Sequence, residues 1–377
     1  MRIVFLTLMV IHGLIHLLGF VKGFGLAPVS QLNAPISRPV GALWLLACVL
    51  LLVAVGLLAL RVPSWWLVGA CALVLSQGLV VMSWSDAKFG TLANVLLLLA
   101  VVVGGALAHF ASATETRIAA LLAAAPSEAG AVVTAAEVGA QPPALRRFLE
   151  RSGVVGHATP RTVRLRQSGG MQLAPGKGFL DVVAHQYFTL PQPAFLWRVK
   201  LAMFGLPIVG RDTYDGGHGR MRIEAAGLLP VVDAADAKID QGALLRFLGE
   251  SVWFPAGALA PYVTWEPGAD PQREARATMR YQGVEASADY TFDGDGRFLS
   301  LRAQRYQGGG DQAVLTPWSV RASAWSRFEV SAGADAYSVE VPSEGDVVWH
   351  LPDGDFVFYR WTLRALEYDV REPYPAP

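Results

Sequence analysis

Four long stretches of this 377-residue chain carry no Asp, Glu, Lys or Arg, and they decide most of what it can be. Ile3–Val21 has 19 such residues, Pro39–Leu60 has 22, Val62–Ser85 has 24 and Phe89–Thr114 has 26. About 20 apolar residues suffice for a helix to cross roughly 30 Å of hydrocarbon. Each stretch is therefore read as a transmembrane helix. Pro39 is no obstacle at a first helical position. Trp65, Trp66 and Trp84 flank the third span, where interfacial aromatics gather. The first stretch could also be a signal peptide, but the bulky, glycine-rich "GFVKGFGLAP" behind it offers no clean cleavage site, which favours an uncleaved helix.

The bulk composition follows from these spans. Only 16% of residues are charged and the net charge is zero, so no basic field exists to attract nucleic acid. Arg2, Arg61 and Arg117 would share one side of the membrane, and Lys22, Arg38 and Lys88 the other. That balance leaves orientation open under the positive-inside rule. Arg2 in the short N-terminal tail tips it toward a cytoplasmic N-terminus and C-terminal domain. The expected setting is the inner membrane of a bacterium.

Beyond the spans the pattern changes. Residues 1–113 read as the membrane domain, 114–140 as an alanine-rich linker whose start could extend the fourth helix, and 141–377 as a β-rich domain. "PPALRRFLERSG" (142–153) predicts a short amphipathic helix capped by Gly153. In "TVRLRQSGGMQLA" (162–174) Val163 and Leu165 alternate with Arg164 and Arg166, as in a half-buried strand. Residues 274–306 read as a three-stranded meander with turns at "QG" (282–283) and "DGDG" (293–296). One helix interrupts, "QGALLRFLGESVWF", with Asp240 expected as its N-cap. The fold class is thus four transmembrane helices plus a mainly antiparallel, curved, half-barrel-like sheet with one or two helices.

The runs "LRRFLERSGVVGHATPRTVRLRQSGGMQL", "PIVGRDTYDGGHGRMRI", "ALLRFLGESVWFPAGAL" and "VPSEGDVVWHLPDGDFVFYRWTLRALEY" resemble, in that order, a family of uncharacterised bacterial proteins bearing a domain of unknown function. The resemblance spans roughly residues 142–370 and implies a fold domain without an assigned chemistry. In architecture alone, the domain is similar to the LolA/LolB-like half-barrels of lipoprotein carriers.

Three constellations could carry chemistry. His12 and His16 lie four apart on one face of the first span. At about 1.5 Å per residue, His109 sits at a different depth, while Cys48 and Cys71 are nearly level with the pair. A His/Cys metal site therefore competes with plain interhelical hydrogen bonding, which is favoured. The second is "GRDTYDGGHGRMRI" (210–223), whose Arg211, Asp212, Tyr214 and His218, with His185, could support proton transfer in an enzyme. The competing reading is a charged β-turn. Third, Phe195, Trp197, Trp253, Trp265 and Trp318 could line a pocket for a hydrophobic small molecule or simply fill the core.

No GxSxG elbow occurs, and an EF-hand loop begun at Asp293 would place Gln304 where glutamate is required. No cofactor is implied. The function expected is binding or handling of a lipid-like molecule at the bilayer, not catalysis. A structural or signalling partner of another membrane protein is the remaining class.

Overall fold

The computed structural model describes residues 2–333 and 335–375. The chain divides into two compact units, one comprising Met1–Ser112 with Ala226–Leu228, the other Ala113–Ala225 with Leu229–Pro377. Each is described by itself.

The first unit is helical. Its helices are α1 (Arg2–Ile15), α2 (Leu17–Gly23), α3 (Arg38–Ala59), α4 (Trp65–Met82), the short α5 (Trp84–Ala87) and α6 (Gly90–Ala124), whose end belongs to the second unit. Four segments are long and apolar enough to cross a membrane: Arg2–Gly23, Arg38–Ala59, Trp65–Met82 and Gly90–Ala124. The first is interrupted at His16, whose amide bonds Gly13 O rather than a carbonyl four residues back. Close approach to α3 needs Gly19, since a Cβ there would fall 2.3 Å from the Trp44 ring.

In the second unit the alanine-rich stretch is helix as far as Ala124, with Ile118 and Leu122 buried against Tyr187, Leu196 and Tyr374. Helices α7 (Ala135–Gly139) and α8 (Pro143–Ser152) follow, and Gly153 caps α8 at φ 83°. Then come β1 (Thr162–Met171), β2 (Leu180–Thr189), β3 (Ala194–Met203), β4 (Leu206–Asp215), β5 (His218–Ala225) and β6 (Leu229–Ala234). Helix α9 (Ala237–Glu250) precedes β7 (Val263–Pro267), β8 (Glu274–Tyr281), β9 (Val284–Phe292), β10 (Phe298–Gln307), β11 (Val314–Ala332), β12 (Asp335–Leu351) and β13 (Gly354–Tyr368). All pair antiparallel in one open sheet, ordered β6-β5-β4-β3-β2-β1-β13-β12-β11-β10-β9-β8-β7. The three-stranded meander expected over 274–306 is β8–β10.

The sheet must curl. Nine strand spacings separate β5 from β9, about 43 Å on a flat sheet, whereas a helix is about 10–12 Å wide. Yet α9 touches β4 and β5 on one wing and β8, β9 and β10 on the other. The two wings therefore wrap one helix, and a Cβ on Gly217, at the β4–β5 tip, would collide with Gln282 at the β8–β9 tip. Leu244, Leu245, Phe247 and Leu248 of α9 are all buried in the resulting core.

The helix start differs from the sequence expectation. Asp236, not Asp240, is the N-cap, accepting from the amides of Lys238 and Ile239. Asp240 lies within the first turn and accepts from the Gly219 amide at 2.6 Å instead. Gly219 is also where β5 meets α9 most closely: a Cβ there would lie 2.7 Å from Ile239 O and 2.9 Å from Ala243 Cβ. Gly219→Ala should therefore destabilise the protein by about 2 kcal/mol through overpacking. Gly294→Ala, where a Cβ meets nothing within 4 Å, should leave stability unchanged. Thermal unfolding of the two variants checks this, and equal losses would contradict it.

Candidate functional site

Strand alternation decides which side chains face α9. On β4, Asp212 and Tyr214 point inward. On β2 and β3 the inward residues are Gln186, Phe188, Phe195 and Trp197, and on β10 they are Leu301, Ala303 and Arg305. The helix meets them with Arg246 and Glu250, one turn apart.

The result is an ionic cluster inside the curl. Arg246 donates to Asp212 Oδ2 at 2.7 Å and to Glu250 Oε1 at 2.9 Å, and Gln186 Nε2 donates to Glu250 Oε2 at 2.5 Å. The Arg246 guanidinium also lies 4.8 Å from the Trp197 ring and 5.3 Å from that of Phe195. Burial pushes the carboxyls of Asp212 and Glu250 above their ordinary values, with Arg246 pulling the other way. Both keep a little surface open, 14% for Asp212 and 16% for Glu250, so the interior is not sealed.

Arg305 is the second interior cation. Its guanidinium carbon sits 5.1 Å from the Trp318 ring on β11 and 6.0 Å from that of Trp349 on β12. Among the described residues no carboxylate pairs with it. Desolvation and the nearby Arg246 pull its pKa down to about 10, which leaves it charged at neutral pH.

Next to this cluster the sheet opens. The β9–β10 ladder ends at Arg302↔Asp289, although β9 stays paired with β8 as far as Val284 and β10 with β11 as far as Gln307. The gap is a cavity of about 520 Å³. Charged side chains such as Arg276, Asp289 and Arg302 stand around it, while Ala286, Ala303 and Trp318 supply apolar lining. Two buried polar atoms of this lining have no hydrogen-bond partner among the described residues: Trp318 Nε1 and Gln241 Oε1.

The residues singled out from sequence are distributed as follows. Of the five aromatics, Trp318 alone lines this cavity. Trp197 borders the ionic cluster, and Phe195 is buried beneath α9. Trp253 packs on Trp361 and donates to Pro342 O, and Trp265 packs on Tyr290 and donates to Ala258 O. The set Arg211, Asp212, Tyr214 and His218 does not converge. Arg211 lies on the opposite face of β4 from Asp212, with its guanidinium bonded to Thr114 Oγ1. His218 is 85% exposed at the hairpin tip, 3.5 Å from Asp240.

His185 also stands on the outer face of the sheet. There Arg198 Nη2 contacts His185 Nδ1 at 3.1 Å and donates to Tyr374 O at 2.6 Å, tying β2 and β3 to the C-terminal segment. In the helical unit, His12 and His16 find neither cysteine. Ser76 and Asn94 are their partners: His12 Nε2 lies 3.0 Å from Asn94 Oδ1, and His16 Nε2 lies 2.9 Å from Ser76 Oγ. His16 Nδ1 donates to His12 O at 2.8 Å, and the Ser76 hydroxyl donates to Asn94 Oδ1 at 3.0 Å. Asn94 Nδ2 donates onward to Gln77 Oε1. Cys48 is buried on α3 and Cys71 exposed on α4. Among the described residues no group of three or more His, Cys, Asp or Glu side chains gathers.

Sequence reasoning missed Arg246, Glu250, Gln186 and Arg305. Two signals were available. Arg305 is in phase with Leu301 and Ala303, and the Arg246–Glu250 pair lies on a helix with Ala243, Leu244, Leu245, Phe247 and Leu248 around most of its circumference.

Comparison with known proteins gives a family and little else. The model described as a family of unknown function, DUF6544, matches residues 131–361. None of the curated proteins matches. Among solved structures, a DUF1329 family protein from Desulfovibrio piger is similar at 11% identity and a TM-score of 0.34, covering 61% of this chain and 94% of its own.

The His185 environment generates a pH prediction. Burial first, then repulsion from Arg198 and Arg166, lower its pKa to about 4. The folded chain thus resists protonating it, so its contribution is whole above about pH 6.5 and is lost as pH falls toward 4. Between those limits the loss approaches about 3 kcal/mol. The His185→Gln variant should lose less stability than wild type between pH 6.5 and 4, measured as thermal midpoints of the full chain in detergent. Parallel curves would rule the assignment out.

Proposed function

The chain belongs to the DUF6544 family of unknown function, and from its own residues we propose that it is a membrane-tethered binding protein whose curled sheet takes up an amphiphilic molecule at the bilayer surface. The observation that carries this is the opening between β9 and β10. It gives a polar-rimmed cavity of about 520 Å³ access to Trp318 on the inner face of the sheet. That volume falls within the range of small-molecule sites. A lipid-like occupant fits the combination of charged rim, apolar lining and four apolar helices that hold the domain at a bilayer. The Arg211–His218 set supports no competing catalytic proposal, since Asp212 is engaged by Arg246 and His218 faces solvent.

Helical multi-span proteins occupy the bacterial inner membrane, because the outer membrane is crossed by closed barrels. We assign the chain there.

The test is native mass spectrometry of the full chain released gently from detergent. Wild type should carry an added mass of several hundred daltons, on the order of what the cavity holds. Ala303→Leu narrows the cavity from its β10 side and should reduce the bound fraction severalfold with little change in melting temperature. Wild type that is empty from every detergent and after addition of lipid would overturn the reading.

A further inference from the structure

Two cations lie inside the curl, and the sheet treats them differently. Arg246 is held by both interior carboxylates, Asp212 and Glu250, and is additionally within reach of Gln186 Oε1 at 3.4 Å. Those three acceptors satisfy its planar fork in the way buried guanidinium groups are usually satisfied. Arg305 has the field of the same carboxylates but not their bonds. Its neighbours are the faces of Trp318 and Trp349 and, across the sheet, the backbone of α9 at Gly242.

Arg305 is half-buried, and a largely desolvated charge without a bonded acceptor is costly to maintain. Aromatic faces return only part of that. Methionine at 305 would fill the same space beside the indoles without any charge. The position therefore holds a cation that stability alone does not select.

A further group at this place is unsatisfied. Trp318 is 4% exposed and its Nε1 has no acceptor among the described residues. Trp318 is also the residue by which the β9–β10 cavity reaches Arg305, since its ring lines that cavity and lies 5.1 Å from the guanidinium. A donor without an acceptor and a cation without a bonded acceptor thus lie side by side at Trp318, the lining residue through which the opening adjoins Arg305.

We propose that Arg305, flanked by Trp318 and Trp349, is the headgroup site for an oxyanion-bearing amphiphile that enters between β9 and β10. The proposal rests on the binding role argued above and adds the chemical class of the ligand. The shared chemistry is a carboxylate or phosphate oxygen, which accepts from the guanidinium, while the alkyl part lies along the apolar lining.

The experiment uses the full chain in a nonionic maltoside detergent, with tryptophan fluorescence as readout and four probes: decanoate, decyl phosphate, decylphosphocholine and inorganic phosphate. Wild type should bind decanoate or decyl phosphate at least about tenfold more tightly than decylphosphocholine, as expected for a charge-assisted hydrogen bond. Preference between the first two identifies the source of the oxyanion. Arg305→Met should abolish that preference while keeping the weaker, tail-driven binding, and Arg305→Lys should keep part of it. The melting temperature of unliganded Arg305→Met should rise, since an unpaired interior charge has been removed. Wild type that binds charged and choline-headed probes alike, or an Arg305→Met variant with undiminished preference, would overturn the inference and leave the binding role standing. Inorganic phosphate bound as tightly as decyl phosphate would overturn the amphiphile. Failure of all four probes would remove both proposals, and a lowered melting temperature with unchanged binding would make Arg305 structural.

Discussion

A single helix has to serve both wings of a thirteen-stranded sheet, and the interior of the β domain follows from that demand. Most helices packed on a sheet keep one side for water. Helix α9 cannot, because β4 and β5 approach it from one direction and β8, β9 and β10 from another. Its polar side chains are therefore delivered into the core along with its leucines. Arg246 and Glu250 form an i,i+4 pair of a kind that adds only a few tenths of a kcal/mol on a free helix surface. Inside the curl the same pair needs a full set of partners, and Asp212 from β4 and Gln186 from β2 complete it. Removing one member of such a set strands a charge, typically at about 3–5 kcal/mol.

The curl also explains where the sheet fails to close on itself. Strand β9 is held to β8 and α9, and β10 is held to β11 and α9. Past Arg302 and Asp289 the two strands follow different neighbours and part. The opening is thus a consequence of packing, and it falls beside Trp318 because Trp318 pairs with Ala303, the first β10 residue beyond the last rung. Packing and access to the interior are the same geometric event seen from two sides.

The sequence was legible where local rules act alone. Charge-free runs disclosed the four apolar helices, and Gly153, the "QG" turn and the 274–306 meander were readable because capping and hairpin turns depend on adjacent residues. At Gln282 and Gly283 both φ values are positive, 48° and 80°, as the tight turn requires. The start of α9 was misread for a nonlocal reason. Asp236 and Asp240 are both plausible caps four residues apart, and the choice is made by Gly219, which takes the second one as its acceptor. Grouping Arg211 with Asp212 ignored a local rule that was available: neighbours on a strand face opposite sides. The ionic cluster, marked only by charged residues in apolar phase, was missed for a third reason. Nothing in a linear sequence announces that two distant wings will enclose one helix.

The polar residues of the two units can be judged by one criterion, whether their hydrogen-bonding capacity is used. His12 and His16 attracted attention because imidazoles among apolar residues suggest function. Their nitrogens nevertheless meet Asn94, Ser76 and a backbone carbonyl, and Asn94 passes its remaining donor to Gln77. Such a chain joins helices through side-chain hydrogen bonds. Arg305 drew no attention from sequence, being one of 31 basic residues and sitting in an unremarkable strand. Its environment supplies ring faces and a neighbouring unsatisfied indole but no acceptor. A buried polar group with all its partners argues for packing, and one without them argues for a ligand. By that measure the helical unit's histidines read as packing residues, and the proposed ligand site rests on Arg305, which lacks a bonded acceptor.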